Sequence, residues 1–309
     1  MSENAAKLFA VSYTTNLQLV LQQKGSKLRD RVSTGTHTGS RQAQVVDYMK
    51  PVRAGRPQGR FAPMSYQSAD FERRWVLPID CEIPAQLFDN FDKLRMLEDP
   101  QSMAVQNSAM AVGRDFDDII IQAALATAKI STTDGSTLSD ETFNTTNFRI
   151  ASTFGNGATS IGLTYEKLVE ARRILRHYEV DLDMEPLTLV IGSTQEADVF
   201  SIAQFTQREF GAGTATVQDG KVTRLLGFDV VVSERLEYGS SVRKCLAFAK
   251  SGLYLGMWQD MMHDISQRKD LSGLPWQVYT SYACGATRLE PGKLLEIDCA
   301  DAVTGPVVG

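Results

Sequence analysis

The chain has 309 residues, of which 43% are hydrophobic and 22% charged, and its net charge is -5. This composition excludes an intrinsically disordered protein and allows a sizeable buried core, which we expect to be divided between two subdomains. No apolar run approaches the ~20 residues of a membrane-spanning helix, and residues 1–10 lack the pattern of a signal peptide, so we expect a soluble protein made in a cytoplasm.

The charge is distributed unevenly along the chain. Residues 24–60 contain nine Lys and Arg against two Asp, a local charge of +7 that leaves -12 for the remainder. Residues 80–99 are acidic, with six Asp and Glu against one Lys and one Arg. A basic segment on an acidic body could bind nucleic acid, could lie on the acidic body of a neighbouring copy, or could be only a solvated loop.

The amino-terminal quarter of the chain predicts one short helix followed by extended structure. Residues 13–23 have the spacing of an amphipathic helix, and residues 33–40 (STGTHTGS) are so polar that we expect a flexible arm. Residues 44–49 and 71–79 alternate as strands do, and a stretch rich in Gly, Pro and Arg joins them. Together they predict a projecting hairpin that has too few apolar residues to be stable alone and therefore rests on another surface.

Residues 99–128 form the longest helical pattern in the chain. Asp99 and Pro100 suit the first positions of a helix, and apolar residues recur on one face from Val105 to Ala123. At 1.5 Å per residue the helix would be roughly 45 Å long, so we expect a spine against which a sheet packs. Residues 87–97 predict a short helix or turn that leads into this spine.

The second half of the chain predicts α+β structure with an antiparallel sheet. Thr164 is the expected N-cap of an amphipathic helix, and Thr194 is the expected N-cap of a second helix that runs towards residue 204. The polar residues after 131 and the glycines near 211 predict loops, and the tail from residue 300 is expected to fray. Strand character is found at 187–191, 228–233, 245–249, 253–258, 276–282 and 287–298.

The histidines of the sequence do not indicate a catalytic site. His37 lies in the polar arm, and His177 is near the carboxyl end of a predicted helix, where the helix dipole favours a cation. His263 has Asp264 beside it, but in a strand these two side chains point to opposite faces. We therefore expect no enzymatic activity from a histidine base.

Two carboxylates in the predicted spine also have a non-catalytic explanation. Asp117 and Asp118 are adjacent and so diverge on a helix, and Arg114 is placed to pair with Asp118. We predict that they form a solvated or interfacial charged face. The glycine pairs at 155 and 211 lack the lysine and the following helix of a phosphate-binding loop.

The four cysteines are widely separated and form no C-x-x-C pair. Each lies in a strand-like context, which favours buried free thiols over a zinc site or disulfides. We predict no metal site and no cofactor. The four residues are Cys81, Cys245, Cys284 and Cys299.

Aromatic residues stand among the arginines of the predicted hairpin. Phe61, Tyr66, Phe71 and Trp75 give this segment the composition of a nucleic-acid-binding surface, but no nucleic-acid-binding motif is present. Docking onto another protein explains aromatic residues on a projecting hairpin at least as well.

Several segments, taken in order, resemble the major capsid proteins of tailed bacteriophages. They are LQQKGSKLRDRV at 21–32, RRWVLPIDCEIPAQLFDNFDKLRMLEDPQS at 73–102 and AMAVGRDFDDIIIQAALATA at 109–128. Residues 225–236, 250–260 and 281–299 resemble later strands of the same family. The order of the segments, more than any single motif, carries the resemblance.

The resemblance implies the α+β fold named after phage Hong Kong 97. That fold has an N-terminal arm, an extended hairpin called the E-loop, a peripheral domain built on a spine helix, and an axial domain. In this sequence we expect the arm at 1–37, the E-loop at 38–83, the peripheral domain at 84–135 and 250–300 with its spine helix at 99–128, the axial domain at 136–249, and a flexible tail at 301–309.

The resemblance also implies a structural protein without catalysis. Its copies would form hexamers and pentamers that close an icosahedral shell around double-stranded DNA, assembled in the host cytoplasm and retained in the virion. Expected partners are other copies, a separate scaffolding protein because no coiled-coil extension precedes the arm, a portal, a decoration protein and non-specifically bound DNA, but no membrane. Candidates for contacts between subunits are Lys24, Lys27, Arg29, Arg31, Arg53, Arg56, Arg60, Phe61, Tyr66, Phe71, Trp75, Asp117 and Asp118.

Two alternatives to a phage shell remain at this point. The first is an encapsulin-like compartment, which has the same fold but encloses an enzyme, and the second is a soluble enzyme with an unrecognised site. Lys50 is a conceivable cross-linking lysine of the hairpin, although no partner residue can be identified. Deleting residues 38–83 is expected to leave a soluble domain that no longer forms shells.

Overall fold

The computed structural model describes most of the chain after residue 22. The described residues are 23–39, 43–49, 52, 54–56, 59, 66, 71–88, 100–131, 137–157, 159–182, 184–202, 217–218 and 221–301. The predicted helix at 13–23 lies outside them except for Gln23, and the predicted loop at 211–213 lies outside them entirely. Of the predicted tail, only Ala300 and Asp301 are described, and the prediction of fraying is wrong for both, because Ala300 ends a strand and the buried Asp301 pairs with Arg243. Of the predicted helix at 87–97, the described residues are Leu87 and Phe88, and both belong to a strand.

The helices are α1 (Pro100–Leu125), α2 (Tyr165–His177) and α3 (Ser193–Ser201), and short 3-10 turns lie at Arg29–Arg31, Lys250–Gly252 and Pro291–Lys293. The strands follow in chain order. They are β1 (Ser33–Thr36), β2 (Ala43–Met49), β3 (Phe71–Val76), β4 (Ile79–Phe88), β5 (Ala128–Ser131), β6 (Ser139–Glu141), β7 (Arg149–Ile150), β8 (Leu187–Ile191), β9 (Val217–Gln218), β10 (Lys221–Val222), β11 (Arg224–Leu225), β12 (Phe228–Val232), β13 (Tyr238–Gly239), β14 (Val242–Ala249), β15 (Leu253–Gln267), β16 (Trp276–Arg288) and β17 (Leu294–Ala300).

The spine sheet has the strand order β1-β15-β16-β4, and α1 packs on it. Val112, Phe116, Ile120 and Ala124 are buried at four-residue intervals along α1, as the apolar face of the predicted spine requires. The ring of Phe116 meets that of Tyr282 on β16 edge to face, with centroids 5.4 Å apart. The spine helix is therefore confirmed, although it ends at Leu125 and the chain has already entered β5 at residue 128.

The residues predicted as a flexible arm include a strand. β1 pairs in parallel with β15, with Ser33 opposite Tyr254 and Thr36 opposite Met257. The prediction of flexibility is wrong for these residues because strand pairing uses backbone groups and does not require apolar side chains. Gly35 permits the close approach, since a Cβ there would lie 1.9 Å from the Tyr254 hydroxyl.

The central sheet has the strand order β11-β12-β8-β14-β17-β7, with β13 paired to β14. All of β8 is buried, and Leu168, Ala171 and Leu175 of α2 are fully buried beside the sheet. The Thr164 N-cap of α2 is confirmed, because its hydroxyl accepts a hydrogen bond from the Lys167 amide at 3.4 Å. The second predicted cap is wrong: α3 begins after Gly192 and not at Thr194, and it ends at residue 201.

The central sheet is mixed and not antiparallel as predicted. β12 runs parallel to β8, and β7 runs parallel to β17, whereas β14 is antiparallel to both β8 and β17. The chain passes through α3 between β8 and β12, which is the crossover connection that parallel pairing requires. β17 was expected in the peripheral domain, but its strand partners are β14 and β7. One continuous hydrophobic core joins this sheet to the spine sheet.

The predicted hairpin is the start of a third sheet, which we call the hairpin sheet. Its order is β2-β3-β5-β6, so the hairpin strands β2 and β3 are confirmed and their base pairs with a strand of the same chain. Residues 79–83 were placed in the E-loop, but they belong to β4 and pair with β16. The expected boundary between hairpin and body at residue 83 therefore falls inside a strand of the spine sheet.

All four cysteines are free thiols in the structure. Cys245, Cys284 and Cys299 are buried, as predicted, whereas Cys81 on β4 is partly exposed. Over the described part of the chain, no helix combines the length and apolar character needed to cross a membrane.

Candidate assembly surface

The hairpin carries large apolar side chains that its own chain leaves exposed. Tyr66 is 91% exposed, Met49 and Val52 are each 58% exposed, and Phe71 is 52% exposed. We call these four residues the hairpin surface. Several large exposed apolar side chains on one hairpin are typical of a site that another protein covers.

The base of the hairpin is held firmly by its own chain. Arg73, Arg74 and Trp75 of β3 pair with β5, and the guanidinium of Arg74 is buried between Glu72, at 2.7 Å, and Glu141 of β6. Trp75 is 8% exposed, so this predicted subunit contact packs inside its own chain. In the sequence, Trp75 is part of an alternating strand pattern, and this pattern does not distinguish a residue that anchors the hairpin from a residue that contacts another subunit. The hairpin is therefore anchored at the base, and the positions described beyond the base are exposed.

Of the other hairpin residues predicted to contact a neighbouring subunit, some are exposed and some lie outside the described residues. Tyr66 and Phe71 are exposed, and so is Arg56. Arg53, Arg60 and Phe61 lie outside the described residues, and so does Lys50. Their contacts with a neighbouring subunit stay a prediction.

The basic residues of the arm contact acidic and carbonyl groups of their own chain. The ammonium of Lys27 donates to the carbonyl oxygen of Val232 at 2.7 Å, and Arg31 forms an ion pair with Asp229 at 2.7 Å. Arg29 lies 3.7 Å from the carboxylate of Asp260 and over the ring of Phe116. Of the arm candidates, Lys24 is exposed without such a contact among those described. The expected pairing of basic arm and acidic body thus exists within one subunit.

Asp117 joins this arm to the spine helix. Its side chain is fully buried, and it accepts hydrogen bonds from the side chains of Gln23 and Ser26, each at 2.5 Å, and from the backbone amides of Lys27 and Leu28. The prediction of a solvated or interfacial face is wrong for Asp117, because a folded-back arm covers it. We call residues 23–32, with this carboxylate, the arm clasp.

Asp118 points to a different part of the chain. Both of its carboxylate oxygens accept hydrogen bonds from the guanidinium of Arg235, in the turn that follows β12. The predicted helical pair between Arg114 and Asp118 stays a prediction, and the contact with Arg235 was not predicted. The contact links the spine helix to the central sheet across 117 residues of sequence, which no local pattern indicates.

Arg288 is a structural residue that sequence reasoning missed. It is fully buried, and its guanidinium donates to the carbonyl oxygens of Ala124 at 2.9 Å, Ala126 at 3.0 Å and Glu141 at 3.1 Å. Burial lowers the pKa of this guanidinium from its usual value. Because the first two carbonyls belong to the end of the spine helix and the third to β6, Arg288 ties the spine to the hairpin sheet.

Two histidines and a buried lysine among the described residues make contacts within their own chain. The Nδ1 atom of His263 lies 2.8 Å from the hydroxyl of Thr280, and the ring of His37 stacks on Trp258. The buried ammonium of Lys167 donates to four carbonyl oxygens at 2.8 to 3.1 Å, and burial lowers its pKa. Among the residues described, no three His, Cys, Asp or Glu side chains converge on a position suited to a metal ion.

Comparison with known families identifies the family to which this chain belongs. A family model described as phage capsid protein matches residues 5–301. The chain belongs to the phage capsid protein family. The capsid protein is therefore a structural protein of a phage virion shell, which confirms the family and the function that the sequence resemblance implied.

Solved structures show the fold of the capsid protein independently. The capsid of cyanophage P-SCSP1u matches with a TM-score of 0.69 at 15% identity, over 96% of this chain and 94% of that chain. A structure from Mycobacterium phage Che8 matches with a TM-score of 0.66 at 11% identity, over 94% and 97%, and the capsid of Ralstonia phage GP4 with 0.66 at 12% identity, over 97% of each chain. The expected α+β capsid fold is confirmed. A search among curated proteins found no matching sequence.

Proposed function

We propose that the capsid protein is the major shell subunit, and that its copies form hexamers and pentamers of an icosahedral head around double-stranded DNA. The observation that carries the proposal is the hairpin, whose base is locked into its own chain while its apolar surface is left uncovered. Burial of each such side chain on a neighbour contributes roughly 1.5–3 kcal/mol. Repetition of the contact around a closed symmetric ring would stabilise a capsomer.

The partner surface for the hairpin is, in this proposal, the spine sheet of an adjacent subunit. Asp80 and Glu82 on β4 and Asp264 on β15 are exposed there, and the hairpin segment between β2 and β3 contains three arginines and one lysine against a single acid, Asp70. Opposite charges would set the register of the contact, and the apolar residues would supply most of its free energy. Assembly through this contact would weaken as salt concentration rises.

The test is a variant in which residues 50–70 are replaced by Asn-Gly, which closes β2 and β3 with a two-residue turn. This change is narrower than a deletion of 38–83, which would also remove β3 and half of β4. We expect a soluble subunit with unchanged thermal unfolding and no closed shells in electron micrographs. Shells of normal size from this variant would refute the role of the hairpin.

A point substitution with a matched control makes the test more specific. Tyr66→Ala removes a side chain that is 91% exposed, and Met184→Ala removes one that is 83% exposed and belongs to the connection between α2 and β8. Both should leave the stability of the subunit unchanged, because neither side chain is packed. Tyr66→Ala should raise the subunit concentration needed for assembly, whereas Met184→Ala should not; equal effects would contradict the assignment.

The partners beyond other copies follow from the same proposal. A separate scaffolding protein, a portal and a decoration protein would join the shell during assembly in the host cytoplasm, and the packaged DNA would be contacted without sequence preference. Analysis of the contents of purified particles tests the DNA assignment. Double-stranded DNA is expected, and an enclosed enzyme would indicate an encapsulin-like compartment instead.

A further inference from the structure

Two carboxyl groups meet in the interior of the central sheet. Glu296 and Asp298 are two residues apart on β17, so both side chains point to the same face. Their side chains are 4% and 1% exposed, and both carboxyl groups lie against the guanidinium of Arg149. We call this pair the β17 dyad.

The dyad has fewer donors than two ionised carboxylates need. Arg149 of β7 donates to Asp298 Oδ2 through Nε, at 2.8 Å, and also through Nη2, and its Nε lies 3.7 Å from Glu296 Oε1. The ammonium of Lys244 on β14 is turned towards Glu237, at 2.9 Å. Asp298 Oδ1 is buried and accepts no hydrogen bond among the described residues.

A proton between the two acids resolves this shortage. Two negative charges in contact inside a protein repel strongly, and a lone pair without a donor is costly to bury. A carboxylic acid at Glu296 would donate to its neighbour and remove one of the charges, as in other carboxyl pairs that titrate together. We propose that Glu296 carries a proton and donates it in a hydrogen bond to Asp298, so that the two residues form a proton-binding site in the central sheet.

The surrounding charges are consistent with this assignment. Burial, followed by the charge of Asp298, raises the pKa of Glu296 to about 7, and Lys244 and Arg149 act in the opposite direction. The charged groups that face the dyad are Arg149 from β7 and Lys244 from β14. On the helix side, Lys167 binds the backbone oxygen of Asp298 at 2.8 Å and not its carboxylate.

The sign of the pH dependence follows from linkage. The ordinary pKa of a glutamate is 4.5, so the folded chain holds a proton that the unfolded chain has released between this value and about 7. Stability therefore falls as pH rises through this window and is level above it. The full shift corresponds to an increase of about 300-fold in the unfolding equilibrium constant.

The experiment compares urea unfolding of the purified subunit at about pH 5.5 and about pH 8. Glu296→Gln supplies an amide donor to Asp298 but has no side-chain group that titrates in this range. It should therefore remove most of the pH dependence of the free energy of unfolding and raise stability at the higher pH. Glu179→Gln is the control, because Glu179 is an exposed residue just after α2, and it should keep the wild-type dependence. Equal pH dependence in wild type and Glu296→Gln would overturn the proposal.

A second measurement covers the case in which Glu296→Gln does not fold. Infrared spectra of the wild-type subunit should contain the C=O band of a buried carboxylic acid at about pH 6, and this band should disappear with a midpoint near neutral pH. Asp298→Asn supplies an amide donor to Glu296 and should lower the pH at which the band is lost. Absence of the band at about pH 6 in the wild type would refute the proton on Glu296. Neither measurement requires assembled shells, so failure here is independent of the proposed function.

Discussion

Replacing Asp117 with alanine is expected to release the arm clasp from the spine helix. Asp117 lies inside the chain, and the carboxylate is the acceptor for four donors of residues 23–28. After substitution, Gln23 and Ser26 can turn to water, but the amide of Leu28 is buried and would lose its acceptor at a cost of about 1–3 kcal/mol. Adding the lost hydrogen bonds to a charged group gives a total of about 3–5 kcal/mol, near the upper limit for one substitution.

The assay for this prediction has a thermodynamic and a local part. Urea unfolding measures the loss of stability, and trypsin cleavage after Lys24 and Lys27 measures release of the clasp. Asp118→Ala is the matched control, since it removes an adjacent carboxylate whose ion pair with Arg235 is partly solvated, and it should cost about 1 kcal/mol or less. The interpretation is wrong if Asp117→Ala and Asp118→Ala destabilise equally, or if the trypsin sites stay protected in Asp117→Ala.

Two further substitutions test the packing around the spine. Gly113→Ala places a methyl group 2.5 Å from the backbone of Gly25, so it should lower the free energy of unfolding by about 1–3 kcal/mol and expose the same trypsin sites. Gly59→Ala is the control, because a methyl group there meets no other atom within 4 Å. Equal effects of the two substitutions would contradict the prediction. Arg288→Met removes the donor to three buried carbonyls and should cost about 3–5 kcal/mol in urea unfolding. Arg173→Met on the exposed face of α2 should have little effect, and a comparable loss there would show that Arg288 has no special role.

Local features of the chain were predictable wherever one segment carries its own signal. The four-residue spacing of apolar residues in α1, the Thr164 cap of α2 and the alternation in β2 and β3 are all written in neighbouring residues, and the structure has each of them. The order of segments likewise indicated the capsid family before any contact was known. Boundaries were less accurate, because the end of α1 and the start of α3 depend on which backbone groups find partners.

Contacts between distant segments were not predictable in this way. Asp117 has the same sequence context as Asp118, yet one is buried under the arm and the other pairs with Arg235. The polar residues of β1 gave no sign that β15 would supply a parallel neighbour. The β17 dyad was not predicted either, because Glu296 and Asp298 are buried together only when β14 and β7 pair on either side of β17.

The sequence by itself determined the secondary structure of the spine and the hairpin, the uneven distribution of charge along the chain, and the family. The tertiary structure alone decided that the basic arm lies on its own subunit, that the hairpin is anchored at its base and exposed at the positions described beyond it, and that two acids share a buried site. The physical reason is that helix and strand periodicity arises from adjacent residues, whereas the burial and partner of a charge depend on segments that meet only after folding.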